Sequence, residues 1–101
     1  MRKRNVREDY VPTEWYNRFG FNIADNCDMV GNDIKLVQAE SIEKCIFQCL
    51  LMTRCNHFNW YPNDGSCYLK SDNNINKLNN VKKDKFPKCG YYTSNFLKFK
   101  P

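Results

Sequence analysis

The sequence lacks the features that mark several large classes of protein. No apolar run approaches the ~18 residues of a membrane-spanning helix. The basic start, MRKRNVRED, has no apolar core and is therefore not an intact signal peptide. Asparagine is frequent, yet no N-x-S/T sequon occurs, so we expect no N-linked glycan. A membrane span within these residues is not expected either.

Residues that carry catalysis or bind metal are scarce. His57 is the only histidine. A Cys–His nucleophile would need this histidine beside a free thiolate. A zinc site from Cys45, Cys49, Cys55 and His57 is conceivable, but structural zinc sites usually use tighter cysteine knuckles. We therefore expect a protein that is not an enzyme and holds no cofactor and no metal.

Cysteine, in contrast, is abundant for so short a chain. Six cysteines in 101 residues form no C-x-x-C pair: Cys27, Cys45, Cys49, Cys55, Cys67 and Cys89. An even number in a small domain is typical of a disulfide framework in an oxidising compartment. Each bridge contributes roughly 2–5 kcal/mol, so reduction should unfold the protein. We therefore predict a secreted or cell-surface protein. Because the sequence has no signal peptide, we interpret it as a mature or recombinant fragment with Met1 added.

Charge and aromatic content divide the chain into three parts. Residues 1–25 form a basic, then aromatic, N-terminal extension, residues 26–93 the disulfide domain, and residues 94–101 a basic tail. Residues 70–100 carry eight lysines against two aspartates. The aromatic rings of the extension leave two alternatives open: they pack on the domain, or they dock a partner chain.

A single amphipathic helix is predicted at about residues 41–53. Ser41 can cap its N-terminus, and Glu43 in the first turn suits the helix dipole. The apolar residues that follow recur at the spacing of a core-facing helix: Ile42, Cys45, Ile46, Cys49 and Leu50. Before the helix, the turn at residues 31–33 leads into an alternating strand at residues 34–37.

A hairpin is predicted after the helix, with strands at residues 57–61 and 66–70 around the turn Pro-Asn-Asp-Gly. The register that places Tyr61 opposite Ser66 puts four side chains on one apolar face: Phe58, Trp60, Cys67 and Leu69. We expect the other face to be solvent-exposed, and it carries His57, Asn59, Tyr61, Tyr68 and Lys70.

The remaining chain is less patterned. Residues 72–88 are polar and lysine-rich, and we interpret them as a surface loop that can contain one short strand. Residues 89–93 are predicted to form a closing strand.

Geometry narrows the 15 possible pairings of six cysteines. Cys45 and Cys49 lie one helical turn apart, with Cβ atoms about 5–6 Å apart, whereas a disulfide needs about 3.5–4.5 Å. Cys67 lies on the apolar hairpin face, where the helix should pack, and Cys55 follows soon after the helix. We therefore predict the bridges Cys45–Cys67, Cys49–Cys55 and Cys27–Cys89.

These residues together resemble the PAN/apple superfamily over about residues 26–93. The motifs that carry the resemblance are C-x-x-x-C on the helix, C-x-x-F-x-W from Cys55 and G-x-C-x-L-K from Gly65. The resemblance implies an α+β fold in which a curved antiparallel sheet cradles one helix. It also implies two bridges between helix and hairpin and a third between the domain ends, the form predicted above.

The resemblance further implies a secreted or cell-surface recognition module without catalysis, binding an extracellular protein or a glycan, with adhesion as a recurring role. One candidate ligand-binding surface is the hairpin with its turn: His57, Asn59, Tyr61, Asn63, Asp64, Tyr68 and Lys70. A second is a set of lysines that could bind a polyanion such as a sulfated glycosaminoglycan: Lys77, Lys82, Lys83, Lys85 and Lys88. Nucleic acid is not expected for an extracellular module.

Two alternatives to this function stay open. The chain could be a scaffold subunit of an extracellular or parasite surface complex, docking a partner through its termini. It could also be a secreted inhibitor of haemostasis, although no residue favours that function specifically.

Overall fold

The computed structural model describes residues 12–72 and 81–93. Its secondary structure there runs in the order β1 (Tyr16–Arg18), β2 (Phe21–Met29), β3 (Asp33–Gln38), α1 (Ile42–Leu51), β4 (His57–Tyr61), β5 (Ser66–Lys70) and β6 (Val81–Tyr92). The strands form one antiparallel sheet in the order β1-β2-β6-β4-β5-β3. The predicted fold class, a small disulfide-rich α+β domain with one helix, is confirmed.

Helix α1 begins and ends where local chemistry dictates. Its N-cap residue, Ser41, has an extended backbone, and its hydroxyl accepts a hydrogen bond from the Lys44 amide at 3.2 Å. The helix ends at Leu51, slightly before the predicted end, because Met52 adopts an extended conformation. Its buried face contacts the sheet through four residues: Ile42, Cys45, Ile46 and Cys49.

The predicted hairpin register is confirmed, with Tyr61 paired to Ser66 across β4 and β5. The apolar face of this hairpin packs against α1 in the main core. Trp60 is tied to it by its indole N–H, which donates to the Ala39 carbonyl at 3.0 Å. At the centre of the sheet a glycine is required, since a Cβ at Gly90 would lie 2.6 Å from the Phe58 ring.

Three disulfides close the structure: Cys27–Cys89, Cys45–Cys67 and Cys49–Cys55. They are the pairs predicted from the sequence. Cys45–Cys67 joins α1 to β5, and Cys49–Cys55 joins α1 to the segment that leads into β4. Both belong to the main core.

The third bridge lies in a second, smaller cluster of buried side chains. This cluster comprises Ala24, Cys27, Met29, Val81 and Cys89, with Trp15 and Tyr91 packed against it. Ile23 pairs with Gly90 across β2 and β6, and the Ile23 side chain lies in the main core on the α1 side. Ala24 and Cys89, the next pair along these strands, therefore have their side chains on the opposite face. Apolar side chains are therefore buried on both faces of the sheet.

The structure corrects the prediction for the lysine-rich segment. Residues 81–88 were predicted as loop, yet they form the first part of β6. This strand lies between β2 and β4: residues 81–83 and 88–92 pair with β2, and residues 88–91 also pair with β4. Pairing with its neighbours, rather than its own side-chain pattern, makes it a strand.

The sheet also begins before the predicted domain start at residue 26. Strand β1 and the first part of β2 lie within the predicted extension, and Phe21 is fully buried in the main core. Predictions on residues 1–11 and on the tail at 94–101, docking through the termini included, concern residues outside those that the structure describes.

Candidate functional site

The hairpin face predicted to be solvent-exposed is largely buried. His57, Asn59 and Lys70 each expose 3% or less of their surface. The prediction of exposure is therefore wrong for these three residues. The remaining four predicted contacts are accessible, because Tyr61 and Tyr68 are half-buried and the turn residues Asn63 and Asp64 are exposed.

The connection between β2 and β3 explains this burial. Since these strands are separated by β6, β4 and β5, the chain must cross the sheet to join them. The Asn59 side-chain oxygen accepts a hydrogen bond from the Met29 amide at 3.0 Å. The Lys70 ammonium donates to the Gly31 carbonyl at 2.8 Å and forms an ion pair with Asp33. Asn59 and Lys70 therefore hold the connection in place.

His57 has a structural environment as well. Its Nδ1 lies 2.8 Å from the Asn56 side-chain oxygen, which also accepts the Asp72 amide at 3.2 Å. We therefore assign Nδ1–H as the donor. Burial, and then the charge of Lys70, lower the pKa of His57 to about 4. The imidazole is neutral at physiological pH and is enclosed in the protein.

The exposed part of the hairpin forms an aromatic patch. The rings of Tyr61 and Tyr68 meet edge to face with centroids 5.7 Å apart. Leu36 is paired with Tyr68 across β3 and β5 and exposes 54% of its surface on the same face. Partial burial and the carboxylate of Asp28 raise the pKa of Tyr61 to about 12, so its hydroxyl stays protonated. We call Leu36, Tyr61, Asn63, Asp64 and Tyr68 the hairpin surface.

The structure describes four of the five lysines of the predicted polyanion site. Lys88 lies 2.8 Å from the carboxylate of Asp25. Lys77 lies outside the described residues. The others are exposed along the first part of β6: Lys82, Lys83 and Lys85.

Neighbouring carboxylates reduce the positive charge of this stretch. Asp28 is directly opposite Lys82 in the β2–β6 pairing, and Asp84 lies in the chain between Lys83 and Lys85. The strand assignment of β6 brings Asp25 and Asp28 of β2 beside the lysines, which the loop prediction could not anticipate.

A hollow that sequence reasoning missed lies where β2 and β6 part. Asp25 is paired with Lys88 and Cys27 with Lys83, so that Asn26 faces the longer β6 segment 84–87. Asn26 adopts the left-handed conformation, with φ of 59°, which asparagine tolerates better than most residues. Here a concave site of about 460 Å³ opens, lined by residues 12–16, Asp25 and Asn26. We call it the Asn26 hollow.

The wall of the Asn26 hollow is held by the small cluster. The Trp15 indole N–H donates to the Pro12 carbonyl at 2.9 Å, and its ring meets Tyr91 edge-on at 5.3 Å. The Tyr91 hydroxyl in turn accepts a hydrogen bond from the side-chain amide of Asn22 at 3.2 Å. The only sequence signal for this site was an asparagine inside an otherwise strand-like segment just before Cys27.

A second surface missed at first is apolar. The ring of Phe19, in the β1–β2 turn, lies 5.0 Å from that of Phe47 on the outer side of α1. Leu51, one turn further along the helix, is 80% exposed. Phe47 and Leu51 are four residues apart and outside the core-facing stripe, a spacing that could have been recognised in the sequence.

The described ranges contain few groups that could bind a metal, cross a membrane or act as a nucleophile. Residues 12–72 and 81–93 contain no group of three or more His, Cys, Asp or Glu that could hold a metal ion. The helix found in these ranges is too short and too polar to cross a membrane. All six cysteines are oxidised in disulfides, so none is a free thiol.

Within residues 12–72 and 81–93, an antiparallel sheet, one helix and three bridges define a disulfide-rich module of the kind found in extracellular proteins. The family model described as PAN domain matches residues 20–96, more than half of the chain. The chain belongs to the PAN domain family. PAN domains are commonly protein- or carbohydrate-binding modules and are typically non-catalytic. No curated protein matches the chain.

Proposed function

We propose that this PAN domain is a secreted or cell-surface recognition module that binds an extracellular protein or glycan, in an adhesion-type role and without catalysis. A nucleophilic thiolate is not available, because every cysteine is in a disulfide. The single histidine is buried, with a pKa of about 4, and does not line the Asn26 hollow. Binding is the function that these residues can perform.

The observation that carries this proposal is the hairpin surface, an aromatic patch on a sheet fixed by disulfides. Tyr61 and Tyr68 are rigid, amphipathic side chains that lose little conformational entropy on binding. Asn63 and Asp64 add polar groups at the exposed turn. The Asp64 carboxylate accepts the Ser66 amide at 2.9 Å, which holds the turn and lowers the pKa of Asp64.

The test is a glycan array run beside a pull-down from secreted and surface extracts. We expect a ligand whose binding is lost when Tyr61→Ala and Tyr68→Ala are combined. Phe86→Ala is the matched control, since Phe86 is an exposed ring outside the hairpin surface. Binding that survives the double substitution would contradict the hairpin surface as the contact. The recognition function itself is overturned if neither assay, nor a direct titration with simple sugars, yields a ligand.

A second candidate is supported by the three exposed lysines of β6, which point to a polyanionic ligand. We expect retention on a heparin column beyond about 0.2 M salt, because several lysines must act together to resist screening. Replacing Lys82, Lys83 and Lys85 with Gln should abolish retention, whereas Lys35→Gln with Lys44→Gln, two exposed lysines elsewhere, should not. Elution of the unaltered protein below about 0.2 M would exclude this ligand class.

A further inference from the structure

The Asn26 hollow contains polar groups that the fold itself does not use. The side chains of Glu14 and Asn26 line it, and neither has a hydrogen-bond or ion-pair partner among the described residues. The left-handed backbone at Asn26 could be formed by glycine as well. The side-chain amide of Asn26 is therefore not needed to hold the backbone, and it is available to a bound molecule.

The charged groups that line the hollow, Glu14 and Asp25 with its partner Lys88, disfavour ligands with a net charge of either sign. Glu14 and Asp25 would repel a sulfate or phosphate group. A basic side chain would have to displace Lys88 from Asp25 or Arg18 from the Tyr16 ring, which leaves Glu14 as the one lining carboxylate without a partner among the described residues. Asp25 is paired with Lys88 at 2.8 Å, and the Arg18 guanidinium lies over the Tyr16 ring at 5.7 Å.

A purely apolar ligand does not fit either. Burying the carboxylates and the Asn26 amide without hydrogen-bond partners would cost free energy, since desolvated polar groups must be satisfied. An uncharged molecule with many hydroxyl groups and one apolar face satisfies both parts of the site. Its hydroxyls can donate to carboxylate oxygens and accept from an amide, while its C–H face lies against an aromatic ring.

We propose that the Asn26 hollow binds an uncharged sugar residue, with the face of Tyr16 that Arg18 leaves uncovered as the aromatic platform and Asn26, Asp25 and Glu14 as the groups that bind hydroxyls. This inference rests on the proposed recognition function and names one ligand class and its site. A hollow of about 460 Å³ has room for one or two sugar rings. Partial burial raises the pKa of Tyr16, so its hydroxyl remains a donor. The wall formed by Trp15 is already fixed by its contacts with Pro12 and Tyr91, so ligand binding does not have to order it.

The probes are methyl glycosides of galactose, glucose, mannose and N-acetylglucosamine, titrated into the full chain while amide NMR signals are recorded. We expect at least one of them to shift the amides of Tyr16, Asp25 and Asn26 in a saturable way. Asn26→Gly keeps the left-handed backbone and removes the side-chain amide. It should weaken that binding about tenfold, the effect of losing one good hydrogen bond. Tyr16→Ala should weaken it by about tenfold or more, since it removes the platform.

The matched control is Asn32→Gly, because Asn32 also has a positive φ, of 65°, and lies outside the hollow. Asn32→Gly should bind the glycoside as tightly as the unaltered chain does. The backbone amide spectra of Asn26→Gly and Asn32→Gly show whether each variant keeps the fold. The inference is overturned if no glycoside shifts these amides, if Asn26→Gly binds as well as the unaltered chain, or if a sulfated sugar binds there more tightly. When a glycan or protein is found by array or pull-down but these amides stay unchanged, only this inference fails. Failure of all three assays would remove the recognition function too.

Discussion

At the scale of single residues, the polar side chains of the central hairpin act as internal ties. Lys70 is nearly fully buried, and its ammonium is satisfied by the Gly31 carbonyl and the Asp33 carboxylate. A buried charge of this kind tolerates no loss of its partner, because desolvation would then be uncompensated. The β2–β3 connection thus depends on side chains whose residue types, in isolation, suggest a solvent-exposed surface.

His57 makes the stability of the domain depend on pH. In the unfolded chain its pKa is near 6.5, and in the folded protein it is about 4. Between these values the unfolded state binds the proton and the folded state does not, so the free energy of unfolding falls as the pH decreases. The full difference is about 3 kcal/mol, of which about 2 kcal/mol should be lost between pH 7 and pH 5.

Urea unfolding at a series of pH values measures this dependence, and His57→Gln supplies the comparison. The variant is expected to be less stable at pH 7 but to lose much less stability between pH 7 and pH 5, a range above the titration of ordinary carboxyl groups. Equal slopes for the variant and the unaltered chain in that range would show that His57 is not the group responsible.

At the scale of elements, the sequence sufficed wherever the determining contacts are close along the chain. The stripe from Ile42 to Leu50 and the Ser41 cap depend on residues within one or two helical turns. The register of β4 and β5 depends on a four-residue turn, which fixes every pair behind it. For the same reason the Cys45–Cys67 bridge could be predicted, since it joins the two elements that were correctly placed.

Elements held by distant partners were not predictable in this way. Strand β6 has a burial pattern without clean alternation, and its identity comes from lying between β2 and β4. Burial of Asn59 and Lys70 results from a connection that crosses the sheet, a consequence of strand order rather than of local sequence. The Asn26 hollow arises where β2 and β6 are mismatched in length, so the asparagine before Cys27 could not by itself reveal it.

At the scale of the whole molecule, the three disulfides close chain loops of very different length. The bridged residues are separated in sequence by 62 positions for Cys27–Cys89, 22 for Cys45–Cys67 and 6 for Cys49–Cys55. Restricting the unfolded chain is worth more for a longer loop. The longest loop belongs to the bridge in the small cluster opposite α1, so that bridge should contribute most although it lies outside the main core.

Replacing each bridged pair by two alanines tests this ranking. All six cysteines have no exposed surface, so the packing lost is similar for the three variants and the difference between them reports mainly loop length. On the chain-entropy account, the free energy of unfolding should fall by about 4 kcal/mol without Cys27–Cys89, about 3 kcal/mol without Cys45–Cys67 and about 2 kcal/mol without Cys49–Cys55. Urea midpoints of the oxidised variants give the order directly. If loss of Cys49–Cys55 proved the most damaging, the helix attachment, and not restriction of the unfolded chain, would be the main source of disulfide stability in this domain.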